Sequence, residues 1–382
     1  MKASVKWLGT YLLCVLLLAG LVIRTVVQID PFMHYHKPLT EEYFYTLDNQ
    51  RSQNDGITRH FEYDAVMTGT SMMENLRTSD ADEIFGDHFI KVPYSGGSFK
   101  EINDNLAVAL QTHPHVRTVV RTMDMTRFFS RSDAMRTDLG EFPTYLYNRN
   151  PVDDIYYVFN RDVLYARCGE MIRQRRAGKK PGITSFDEYS NWMRRYTFGK
   201  NTVLASEIKK EYRFGEPLKK ESLTDEERET IRENIRLNVT ELADRYPGTD
   251  FYYFMTPYSA VWWGYQYEKG TLDKQIDAEE YILGLILPHK NIHLYSWNDK
   301  KEITTNLNFY KDSTHYGEWV GTWMLRQMKA GRGLLTEENY REYIAAERAL
   351  YRGFAYNSLF DQEDYEDDSI AETLLKQVDA RR

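Results

Sequence analysis

Seventeen consecutive residues, Trp7 to Ile23, carry no charge and are mostly apolar. That length is the short end of what an α-helix needs to cross a hydrocarbon layer. Arg24 interrupts the run before Thr25, Val26 and Val27 continue it, and Lys2 and Lys6 precede it. Positive charge ahead of a span keeps the N-terminus on the cytoplasmic side. Residues 1–6 are therefore expected in the cytoplasm, 7–27 in the bilayer as a transmembrane anchor, and the main domain outside. A cleaved signal peptide needs a small-x-small site, and here Ala19 and Gly20 are followed by Leu21, Val22 and Ile23, so an uncleaved anchor is the expectation. Lipoprotein processing is disfavoured because Leu13, not a small residue, precedes Cys14.

Everything after the anchor has to fold in water, which the 28% charged content and the mean hydropathy of −0.61 permit. A net charge of −8 argues against a nucleic-acid partner, which takes a surplus of Lys and Arg to bind. The two cysteines, Cys14 in the apolar run and Cys168 in the polar body, would lie in different phases, so no intramolecular disulfide is expected.

Short apolar runs at 63–68, 89–94, 116–123, 251–256 and 292–296 read as strands. Helical patterns fit 72–77, 97–111, 277–287 and 316–328. A further helix opens at the capping box Thr224-x-x-Glu227 and carries Ile231, Ile235, Val239 and Leu242 on one face. Strands alternating with helices predict an α/β fold with a doubly wound, mostly parallel five-stranded sheet. The domain is expected over 28–334, with a helical cap inserted at about 125–249 and a helical, acidic tail over 335–382. The basic run 173–180 and the acidic run 361–368 read as solvated surface, the basic one with anionic lipid or polymer as an alternative.

Ligands of such sheets bind beyond the carboxyl ends of the strands. Gly69-Thr70-Ser71 ends the first strand there, and Asp312-Ser313-Thr314-His315 lies between the fifth strand and the next helix. A serine hydroxyl becomes a nucleophile when a base removes its proton, and that base works best when a carboxylate fixes its tautomer. Asp and His three residues apart can fold back so that the carboxylate meets one ring nitrogen and leaves the other for the serine. Ser71 as nucleophile, His315 as base and then acid, and Asp312 as orienter are thus the candidate catalytic residues. Taken singly, each motif also reads as a turn or a helix cap.

The order of these motifs resembles the SGNH (GDSL-like) hydrolase superfamily from about Asp64 to Met328. That resemblance implies a flavodoxin-like SGNH fold and an oxyanion hole built from backbone amides of Ser71 and of Gly96 or Gly97, in the run Tyr94-Ser-Gly96-Gly97-Ser98. It also marks a departure. Where those enzymes commonly place an Asn after the third strand, this chain has Asp124, and an ionised carboxylate accepts hydrogen bonds rather than donating them. The anchor, Gly69-Thr-Ser71, Asp312-x-x-His315-Tyr316 and Pro257-Tyr258-Ser259 are similar to the membrane-anchored SGNH-like proteins that accompany membrane-bound O-acyltransferases, the D-alanine transfer protein among them. This implies serine esterase or O-acyltransferase chemistry on a cell-surface polysaccharide or polyol-phosphate polymer, with a membrane-bound O-acyltransferase as partner. A non-catalytic adaptor and a polysaccharide deacetylase are the alternatives.

Tyr258, Trp262 and Trp263 follow the fourth strand on the side where the site should open. They read either as a sugar-stacking platform or as the core of a cap. His34-x-His36 and His113-x-His115 lack a second cluster at ligand spacing, so neither a metal nor another cofactor is expected. Asn234 and Asn238, one helical turn apart beside the apolar face, are expected to satisfy buried backbone. The sequon at Asn238 carries meaning only in a glycosylating host.

Overall fold

The computed structural model describes residues 2–207 and 212–365, together with 373 and 375. The chain forms two compact units, Met1–Glu62 with Thr137–Ser185 and Tyr63–Arg136 with Phe186–Arg382. The stretch expected as one cap over 125–249 is therefore divided, with 137–185 in the first unit and the remainder in the second.

The second unit is built on five parallel strands: β1 (Ala65–Gly69), β2 (Phe89–Pro93), β3 (Thr118–Met123), β4 (Asp250–Met255) and β5 (Ile292–Tyr295). Their order is β2-β1-β3-β4-β5. Ala65 lies opposite both Phe89 and Thr118, and Phe251 opposite both Val119 and Ile292. The first three strands are buried along their whole length, which explains their continuous apolar runs: a parallel sheet is covered on both faces. Strand order reverses between β1 and β3, and the crevice beyond their carboxyl ends is where such folds take ligands.

Two cations nonetheless lie inside this sheet, each fully buried. Lys91 in β2 donates from Nζ to the carbonyls of Glu74 (2.6 Å) and Leu76 (2.9 Å). Arg121 in β3 donates to the Asn238 carbonyl at 2.8 Å and lies between the rings of Phe99 and Tyr253. Lys91 thus spends two donors on carbonyls, whereas Arg121 Nε and Nη2 have no hydrogen-bond partner among the described residues and the guanidinium relies on the two rings.

The helices begin where local chemistry starts them. Ser98 accepts from the Glu101 amide while the Glu101 carboxylate accepts from the Ser98 amide, a capping box opening Phe99–Thr112. Thr224 and Glu227 make the second box, opening Asp225–Ile235. Asn234 donates to the carbonyls of Arg127 and Ser130, and Asn238 to that of Ser132, so this pair closes an irregular backbone stretch after β3. The region read as a helix over 72–77 is instead one tight turn, Ser71–Met73, followed by the helix Thr78–Phe85. After Glu318–Lys329 comes the helix Tyr340–Gly353, within the stretch expected as a helical tail over 335–382. Of the expected tail, residues 366–372, 374 and 376–382 lie outside the described residues, and with them part of the acidic run.

In the first unit the apolar run forms one helix, Lys2–Ile29, of which Ser4–Ile29 is long and apolar enough to cross a membrane. It ends in a sharp turn with left-handed φ at Asp30 (46°) and Met33 (57°). The buried Asp30 carboxylate holds that turn by accepting the amides of His34, Tyr35 and His36 and the hydroxyl of Tyr157. The helix Gln50–His60 packs closely there: a Cβ on Gly56 would lie 2.2 Å from the Phe32 carbonyl oxygen, so only glycine fits. A short parallel pair, Phe44–Tyr45 with Gly182–Ile183, ties the inserted segment to this unit.

Candidate active site

Ser71 stands directly past the end of β1, at the first position of its one-turn helix. Two features shape the approach. Gly69 has φ +151°, and a Cβ there would come within 2.1 Å of Thr122 Oγ1 on β3, so the strand can end this close to its neighbour only through glycine. Thr70 then donates from its amide to Thr122 Oγ1 (3.2 Å) and from its hydroxyl to Asp124 (2.7 Å).

Ser71 Oγ lies 2.8 Å from His315 Nε2. On the far side of the ring, His315 Nδ1 lies 2.9 and 2.8 Å from the two carboxylate oxygens of Asp312. The same Asp312 accepts the backbone amides of Thr314 (2.9 Å) and His315 (2.8 Å), which fixes the four-residue turn independently of the imidazole. Burial alone would push the Asp312 carboxyl up. The hydrogen bond and charge of His315, with the two amides, outweigh it and hold the carboxyl well below its ordinary range. Asp312 thus keeps its charge and fixes the proton of the neutral imidazole on Nδ1, leaving Nε2 to accept from the serine.

Asp124, where the resemblance leads one to expect an asparagine, is turned into the protein. It is buried and accepts hydroxyls from Thr70 (2.7 Å), Tyr258 (3.2 Å) and Thr122 (3.4 Å). Burial raises its carboxyl above the ordinary range, against the opposing pull of Thr70, Arg127 and Tyr258. Its visible work is to brace the residue that precedes Ser71.

The expected oxyanion donors are placed unevenly. The Gly97 amide donates to the Tyr94 carbonyl at 2.8 Å, closing the turn that feeds the helix Phe99–Thr112, so it is not available to a substrate. Gly96, third in that turn with φ +57°, lies under Arg136, whose Nη1 donates to the Ser95 carbonyl at 2.6 Å. The Ser71 amide opens a helical turn and makes no bond within it.

Of the two readings of Tyr258, Trp262 and Trp263, their burial agrees with the core. Trp263 is fully buried and stacked on Tyr351 at 4.3 Å, Trp262 packs edge-on against it, and the Tyr258 hydroxyl is spent on Asp124. The helix Ala260–Glu268 thus buries its two tryptophans, with Trp263 against the helix Tyr340–Gly353.

Aromatic contact with the triad comes from elsewhere. Trp192 presents its ring edge-on to His315, centroids 5.6 Å apart. It is bound just past the Ser71 turn, its Nε1 donating to the Glu74 carboxylate at 2.9 Å and its amide to Asn75 at 3.1 Å. Lys311 stands 4.2 Å from the ring centres of both Trp192 and Tyr196, and 3.5 Å from Asp312. Asp187 accepts from Ser79 and Thr78, holding the start of this segment to the helix Thr78–Phe85. Nothing periodic marks Trp192 in the sequence. Its only signal is an aromatic and basic cluster, Trp192 to Tyr196, in a stretch without strand or helix pattern.

The histidine pairs are engaged locally: His34 with Asp154, His36 with the Lys37 and Val27 carbonyls, His115 with the Tyr63 carbonyl, and His113 against the Tyr63 ring. Among the described residues no group of three potential metal ligands gathers. Comparison with protein-family models, with curated proteins and with solved structures matches none of them to this chain.

Proposed function

We propose that this protein is a membrane-anchored serine esterase or O-acyltransferase working outside the cytoplasm on a surface polysaccharide or polyol-phosphate polymer. The observation that carries the reading is the unbroken relay from Ser71 Oγ through His315 to Asp312, with both contacts at hydrogen-bond distance. His315 Nε2 takes the hydroxyl proton as Ser71 Oγ attacks the acyl carbonyl. The same nitrogen returns that proton to the departing alcohol, leaving an acyl-serine. A sugar or polyol hydroxyl, or water, then gives its proton to Nε2 as it attacks the acyl carbon, and Nε2 passes that proton to the departing Ser71 Oγ, restoring the free serine. The oxyanion would be met by the Ser71 amide, with Gly96 as the neighbouring candidate.

A serine-directed fluorophosphonate probe tests this on the full-length chain in detergent. The expected result is covalent labelling of the wild type and none of Ser71→Ala, with labelling of His315→Ala slowed by several orders of magnitude. Equal labelling of wild type and Ser71→Ala removes the assignment. An adaptor that keeps the fold and binds a polymer or a membrane acyltransferase without chemistry is the second reading, and the Gly97 amide spent on Tyr94 favours it. Under that reading, polymer acylation depends on the protein yet survives both substitutions.

A further inference from the structure

We infer that the inserted segment 137–185 forms a second membrane contact, a face of exposed aromatic and aliphatic side chains that lies in the lipid interface beside the point where the anchor helix emerges. The inference rests on reading Ser4–Ile29 as a membrane span and is independent of the proposed chemistry.

Among the described residues, eight large hydrophobic side chains outside the anchor helix are strongly exposed, and six of them fall in this insertion: Leu139, Val152, Ile155, Tyr156, Phe159 and Tyr165. Scattered exposed apolar residues need no explanation, but concentration in one segment does. This segment is also fixed to the end of the anchor. Tyr157 donates to the Asp30 carboxylate at 2.8 Å and accepts the Phe32 amide at 3.2 Å. Asp154 meets His34 and Tyr35, each at 3.1 Å. Ile155, Tyr156 and Phe159 therefore stand within two residues of a side chain bonded to the first residue past the helix.

That helix has more length than a bilayer core requires. Twenty-six residues at about 1.5 Å each span about 39 Å, against a hydrocarbon thickness of about 30 Å, so a helix near the bilayer normal carries one end into the headgroup layer. At the Asp30 end, Val26 and Ile29 are already buried by protein rather than lipid. The insertion that covers them is at interfacial depth, where Tyr and Trp collect and where Phe and Leu insert shallowly. Charge fits the same occupant. Arg161, between Phe159 and Tyr165, and Arg176 in the basic run are exposed and without an ion-pair partner among the described residues, placed to meet anionic headgroups.

Nitroxide depth measurements on the full-length protein in nanodiscs of phosphatidylcholine and phosphatidylglycerol test the inference. In a Cys14→Ser background, in which Cys168 is buried and unreactive, single labels go at Tyr156→Cys, Phe159→Cys and Tyr165→Cys. Leu16→Cys marks the bilayer interior and Glu41→Cys the water. The expected result is that at least two of the three positions show an oxygen-to-nickel-chelate collision ratio several-fold above Glu41→Cys and below Leu16→Cys. Water-like ratios at all three, with Leu16→Cys reporting lipid, overturn the contact and leave the face to a protein partner. A water-like Leu16→Cys overturns the span, and the inference with it. Circular dichroism of each labelled variant confirms that the fold compared is the same.

Discussion

The Thr70 hydroxyl donates to the Asp124 carboxylate at 2.7 Å, so the residue ahead of the candidate nucleophile is tied by its side chain to the end of the neighbouring strand. Tyr258 and Thr122 complete the carboxylate's acceptor set from two other directions. The aspartate that replaces an expected oxyanion donor thus acts as a brace for the Ser71 turn.

Asp124→Asn replaces one acceptor oxygen with a donor, leaving Thr70 or Tyr258 without its partner in a buried place. The expected cost is about 1–3 kcal/mol of stability. Fluorophosphonate labelling of Ser71 should slow roughly tenfold. Chemical denaturation and labelling rates measured together check this, and unchanged values for both would remove the bracing role.

Asp312→Asn cannot hold the imidazole proton on Nδ1 and should lower the Ser71 labelling rate by about 10⁴ while leaving the fold intact, as wrong-tautomer substitutions do. The depressed carboxyl also carries a pH signature. Its stabilisation is fully present above the unfolded value near 3.9 and is lost as pH falls through the lower folded value. Acid denaturation of Asp312→Asn should therefore lose less stability below about pH 4 than the wild type does.

Lys91 carries a slope of the same sign, at higher pH. Full burial pulls its ammonium from 10.5 down to about 7, against the favourable charges of Asp187, Glu74 and Glu318. Between those values the unfolded chain holds a proton that the folded one has released, so stability rises with pH across that window, by up to about 1.4 kcal/mol per unit. In Lys91→Met this part of the slope should vanish. Unfolding free energies at pH 7, 8 and 9 read it directly, and parallel slopes for the two proteins would falsify the assignment.

Gly69→Ala places a methyl at the 2.1 Å approach to Thr122 and forces alanine into φ +151°. A loss of about 1–3 kcal/mol is expected from the backbone conformation alone, with the contact in addition. Thermal unfolding of Gly69→Ala, Thr122→Ala and the double variant separates the two, since Thr122→Ala alone removes the acceptor of the Thr70 amide and only the coupling between the two substitutions reports the contact.

Trp192→Ala removes the ring that touches His315 and Lys311, whereas Trp192→Phe keeps a ring and loses only the N–H bonded to Glu74. A contact worth about 0.5–1 kcal/mol corresponds to a change of roughly two- to fivefold in labelling rate for the alanine variant. The phenylalanine variant should stay closer to wild type.

What the sequence determined by itself is whatever depends on neighbours along the chain. The long apolar helix follows from one uncharged run, the strands from short apolar runs, and both capping boxes from residues three apart. The Asp312–His315 pairing is of the same kind, because four residues of turn carry both groups and their backbone donors. The tertiary structure decided the rest. Which side of the ring faces Ser71, 244 positions away, depends on the strand order. That Asp124 is bound by Thr70 and Tyr258, and that Trp192 rather than Trp262 or Trp263 meets the histidine, depend on which distant segments converge beyond the strand ends. A hydrogen bond or ring contact between such segments leaves no periodicity in the chain, since packing, and not spacing, selects it.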